Sequence, residues 1–129
     1  LEREAFLEAL QVMSALGLAI VDFPGYPVRV LAGAMRHLPV LVLRPLMTRL
    51  VASGRGNKRP SLQLDLNRGR KQSEVFYLNG AVVAQGERLH AHTPVNSAIL
   101  KTFLGLMAGQ LSWDEYRHRP AKLLGSIRR

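Results

Sequence analysis

The chain has no cysteine. That excludes disulfides and thiolate metal sites, and it fits a reducing compartment. Acidic residues are half as numerous as basic ones, 9 against 18, giving a formal charge of +9 over 129 residues. Such a field attracts anions in general. Aromatic residues are also scarce, at 6%, and they do not interleave with the basic ones. A solvated basic surface is therefore expected, and a nucleic-acid footprint is not. No uncharged apolar run is long enough to span a bilayer. The richest stretch, Leu38 to Leu50, is broken by Pro39, Arg44 and Pro45. No strand leads into a G-x-G-x-x-G fingerprint, and the Gly-rich basic loop Ser53 to Arg59 lacks the G-K-[ST] ending of a phosphate loop. There is no internal repeat. These features support a soluble protein without a membrane partner. Leu1 opens directly into a helical pattern with no signal-peptide signature, so the chain is expected to be part of something longer.

Nearly half the residues, 47%, are apolar, enough for the core of one domain over residues 1–129. Most apolar stripes have helical spacing. Glu2 to Leu16 reads as a helix with Phe6, Leu10, Met13 and Leu16 inside, Glu4 and Glu8 in solvent, and Gly17 at its C-terminal cap. Asp22 to Pro27 is a dense turn cluster. Val28 to His37 and Val40 to Ser53 read as two further helices. Pro45 is expected to kink the second or to mark its true start. Pro60 to Asn67 alternates apolar and polar residues, which by pattern alone is a strand.

The organising stretch is Ser73 to Asn96. Val75, Leu78, Val82 and Leu89 form one stripe, with Val83 and Gly86 beside it. Ser73 is the expected N-cap and Glu74 sits in the first turn, where the helix dipole favours an anion. Gly80 lies within the stripe and marks a close approach by another helix. Thr93 is expected to cap the next helix, Pro94 to Gly109, with Pro94 at its first position. Val95, Ile99, Phe103, Leu106 and Met107 are its expected inner face. Ser112 to Glu115 has the spacing of a capping box, Trp113 should lie over the preceding helix, and the basic stretch from Arg117 should fray.

Several motifs occur in order: Pro60-Ser61, Asp65-Leu66, Gly69-Arg70, Ser73-Glu74-Val75, Leu78-Asn79-Gly80 with Val83, and Thr93-Pro94-Val95-Asn96. Together they resemble the signature of the ketopantoate reductase (2-dehydropantoate 2-reductase) family, in its C-terminal helical domain. The resemblance is strongest over Lys58 to Asn96 and extends more weakly to both ends. It implies an all-α helical bundle resembling the 6-phosphogluconate dehydrogenase C-terminal-domain-like fold. It also implies that Pro60 to Asn67 is a short helix, with Ser61 near its start.

By the same resemblance, the whole protein is a cytoplasmic, homodimeric oxidoreductase of pantothenate and coenzyme A biosynthesis. It would reduce a small 2-oxo acid, ketopantoate, with NADPH. An N-terminal Rossmann domain would hold the cofactor. A general-acid lysine is expected upstream of Leu1, so the chain alone would be inactive and contains no catalytic residue of its own. Ser61 matches the family serine that hydrogen-bonds the substrate carboxylate. Glu74 matches the glutamate that contacts substrate and helps organise the lysine and the cofactor side. Lys58 holds a minor place as an anion contact.

The chain departs from the family pattern at three points. Phe76 stands where the family often has aspartate, and the spacing from Ser61 to Glu74 is one residue longer than in many members. Both leave open which 2-oxo acid is the substrate. His90-Ala91-His92 replaces the usual turn, but two histidines without a third ligand are not expected to hold a metal. Two other readings compete: a basic helical nucleic-acid-binding module and a structural interaction domain.

Overall fold

The computed structural model describes residues 1–55 and 74–127. The described residues form seven helices and no strand: α1 (Glu2–Ala15), α2 (Val28–His37), α3 (Val40–Arg55), α4 (Glu74–Arg88), α5 (Pro94–Met107), α6 (Trp113–Tyr116) and α7 (Pro120–Ile127). The described residues are therefore all-α, as their apolar spacing indicates. Among the described residues, no helix is long and apolar enough to cross a membrane.

The centre is an antiparallel hairpin of α4 and α5, the most extensive helix pair. Helix α1 lies across it and also packs against α2, while α7 packs on α5. The core draws on Leu10 and Val12 of α1, Ala32 and Met35 of α2, Leu43 of α3, and Val95, Ala98, Phe103 and Leu106 of α5. On α1, Glu8 and Val12 turn inward with Leu10, whereas Leu16 is exposed. The buried face is thus rotated from the expected stripe, because α1 must serve both α2 and the hairpin.

The termination signals act as their residue types dictate. Gly17 takes φ +69°, the Gly17 N–H donates to Ser14 O, and the Leu18 N–H donates to Met13 O. This is the double bond of a Schellman cap. Gly109, at φ +70°, ends α5 in the same way through Gly105 O and Leu106 O. Pro24 and Gly25 make a tight turn closed by two bonds between Phe23 and Tyr26. Asp22 Oδ1 then accepts the Arg29 N–H at 2.8 Å and caps α2 from outside. At the other end of α2, Arg3 Nε donates to Met35 O at 2.8 Å, placing a cation where the helix dipole is negative.

Helix α3 runs through Pro45 from Val40, so Pro45 is not its start. The missing N–H costs the Leu41 carbonyl its partner, and Leu41 is fully open to water at 89% exposure. The C-terminal region also differs from expectation. Residues 120–127 form α7 instead of fraying, because the helix has α5 to pack on. Ser112 stands at the N-cap of α6 without a side-chain bond. The Glu115 carboxylate that would complete a capping box is paired with Lys122, whose ammonium also lies over the Tyr116 ring. Trp113 keeps a large part of its surface exposed.

Candidate functional site

The main polar feature of the described residues is buried between α1, α4 and α5. Pro94 has no N–H to satisfy, so the first turn of α5 leaves two inward-facing donors, Val95 N–H and Asn96 N–H. Both go to Glu8. Val95 N–H donates to Oε1 at 2.8 Å and Asn96 N–H to Oε2 at 2.9 Å. The Asn96 side-chain amide donates to Glu8 Oε2 at 2.6 Å and to Ala5 O at 3.0 Å. Its carbonyl accepts from Asn79 Nδ2 at 2.8 Å. Glu8 is 9% exposed and Asn96 2%.

This corrects the reading of Glu8 as a solvent charge. An acidic residue within an amphipathic helix normally lies on the wet face. Here the positive end of α5 and two orphan donors reward its burial. It also corrects the role of Thr93, which occupies the N-cap position but makes no side-chain cap bond. Its side chain instead fills the space over Gly86. A Cβ at Gly86 would stand 2.8 Å from Thr93 Cγ2 and 3.0 Å from Ala91 O.

Gly80 also faces α5, with Leu100 as its neighbour, but at 3.8 Å from an added Cβ. The helix approach expected there exists, at ordinary van der Waals distance. Val75, Val82, Val83 and Leu89 are half-buried along this face, as the stripe indicates. Leu78 is not: it is 68% exposed, beside the exposed rings of Phe76 and Tyr77. Those two rings meet edge to face, with centroids 5.6 Å apart.

Glu74 is the first residue of α4 and is exposed. Tyr77 and Leu78, three and four residues on, share its side of the helix. The carboxylate thus opens a solvent-facing strip turned away from the α5 contact. Lys58, Ser61 and the expected cap residue Ser73 lie outside the described residues, as does the short helix expected at Pro60 to Asn67.

His90 and His92 are both exposed in the α4–α5 turn. With Glu87 and Ser97 they line an open concavity of about 540 Å³. His90 takes the left-handed conformation, φ +53°, and with Ala91 forms a Schellman cap onto Gly86 O and Glu87 O. Among the described residues, no three histidine, aspartate or glutamate side chains are grouped to hold a metal ion.

The family model described as ketopantoate reductase PanE/ApbA C terminal matches residues 1–106. No curated protein matches the chain, and no solved structure does.

Proposed function

The chain belongs to the ketopantoate reductase family, as its C-terminal domain, and on that premise we propose that it is the substrate-side domain of an NADPH-dependent 2-oxo acid reductase. The proposed reaction is reduction of the ketone of 2-dehydropantoate, or a close 2-oxo acid, to the 2-hydroxy acid. Membership of the family supports an oxidoreductase as the whole protein.

The observation that carries the reading is Glu74. It is presented to solvent on the first turn of α4, within the segment that matches the family. A carboxylate placed there can accept a hydrogen bond from substrate. It can also hold a neighbouring lysine ammonium charged and oriented. The Ser61 hydroxyl is proposed to donate to the substrate carboxylate, and Lys58 to add positive charge beside it.

Among the described residues, no arrangement fits the dinucleotide itself. The sequence has no glycine fingerprint after a strand. The α5 N-terminus, whose N–H groups could have faced a phosphate, is filled by Glu8. NADPH is therefore assigned to an N-terminal Rossmann domain of the whole protein, which would also supply the general-acid lysine. The chain by itself is proposed to be inactive. A cytoplasmic homodimer is the assembly proposed for the whole protein.

Steady-state kinetics and thermal melts on full-length Ser61→Ala and Glu74→Gln proteins test the site. Loss of a hydrogen bond to a charged partner costs about 1.5–3 kcal/mol, so each variant should lose about 10- to 100-fold in kcat/KM. For Ser61→Ala the loss should fall mostly on KM. For Glu74→Gln it should fall on kcat as well. Variants that melt lower yet turn over like the parent would refute the assignment and leave both residues as helix caps.

A further inference from the structure

We infer that the buried chain Glu8–Asn96–Asn79 is a positioning device for Glu74, acting through Asn79; the inference rests on the substrate-side role proposed for Glu74. Helix α4 is gripped very differently along its length. Its C-terminal end is locked by close contact, because Gly86 leaves no room for even a methyl group beside Thr93. Toward the N-terminal end the apolar grip is weak. Gly80 presents no side chain to interdigitate with Leu100, and Val75, the inward-facing residue nearest that end, is only half-buried. Apolar contact of that kind tolerates sliding and rocking. A hydrogen bond at 2.8 Å does not, since one residue of axial slip moves a group by about 1.5 Å.

The Asn79 amide makes such a bond to Asn96, and it lies at the transition between the tight and loose halves of α4. Asn96 is itself immobilised. Its backbone and side-chain N–H groups are held by Glu8 and by Ala5 O, so Asn79 is referenced to α1 and α5 together. Glu74 lies five residues away, about 7.5 Å along the axis and roughly 140° around it. The bond therefore sets both the rise and the rotation of the carboxylate while remaining on the opposite side of the helix. An apolar pair in place of Asn79 and Asn96 would bury more favourably than two amides. What an amide pair adds is direction, the use for which buried polar groups are best attested.

A double-mutant cycle in the full-length reductase tests this. Parent, Asn79→Ala, Glu74→Gln and the double variant are compared for kcat/KM with 2-dehydropantoate, at a temperature well below each melting transition. Asn79→Ala is expected to lower kcat/KM by about 10-fold in the parent, by displacing the carboxylate, and by no more than about 2-fold in the Glu74→Gln background. KM for NADPH should not move. If Asn79→Ala does not fold, Asn79→Ser serves in its place, with the same pattern expected. Equal losses in both backgrounds would mean that Asn79 only stabilises the fold, which overturns the inference and leaves the site reading intact. A Glu74→Gln protein that turns over like the parent overturns both.

Discussion

Glu8 offers the sharpest test of how this fold is held. Truncation to alanine removes the acceptor for two backbone N–H groups of α5, Val95 and Asn96, and one of the two acceptors of the Asn96 side-chain NH2. The amide retains Ala5 O, so the two backbone donors dominate. A buried donor left unsatisfied costs about 1–3 kcal/mol, which brackets the loss at roughly 2–6 kcal/mol. Pro94, next to the site, is exposed, so water entering beside it can recover part of this, and about 2–4 kcal/mol is expected. At this chain length 1 kcal/mol corresponds to about 4 °C in Tm, giving a fall of about 8–16 °C. Glu8→Gln keeps the shape and one acceptor but turns a donor toward donors; about half the loss is expected. Glu2→Gln, on the exposed side of the same helix, should change stability by less than about 0.5 kcal/mol. Urea unfolding followed by circular dichroism gives all three values. A Glu8→Ala loss below about 1 kcal/mol would mean that the first turn of α5 is satisfied by something other than this carboxylate.

The two hairpin glycines should respond with opposite sign. Gly80→Ala meets only ordinary contact with Leu100 and should stabilise by up to about 1 kcal/mol, whereas Gly86→Ala, forced against Thr93 and a backbone carbonyl, should destabilise by about 1–3 kcal/mol; thermal melts decide both. His90→Gly relieves a left-handed residue at φ +53° and should raise stability by about 1 kcal/mol, with an unchanged or lower Tm counting against it. The Lys122 ammonium beside Glu115 holds that carboxyl below its ordinary value. A depressed folded-state value means that its contribution is present above the ordinary glutamate range and is lost as pH falls through the folded value. Lys122→Ala should therefore move the Glu115 titration upward in an NMR pH series, and no movement would contradict the pairing.

The helices were legible in the sequence because their signals are local. Val28 to His37 is bounded as its prolines dictate, Gly17 ends α1, and Pro94 opens α5; each depends only on the conformations its own residue allows. Glu74 was legible as a helix start, and the motif order was sufficient to indicate the family. What sequence could not supply is which polar residue is buried. Glu8 and Glu4 are both acidic residues of one amphipathic helix, yet one is buried and the other exposed. The difference arises 87 residues away, where Pro94 leaves Val95 and Asn96 N–H groups in need of an acceptor. The same holds for the glycines. Gly80 and Gly86 are alike in the sequence, and only the packing of α5 makes one replaceable and the other not. Local rules fix where a helix begins and ends, but the partner of an orphan donor and the room beside a Cα are properties of the neighbouring helix, which no local pattern encodes.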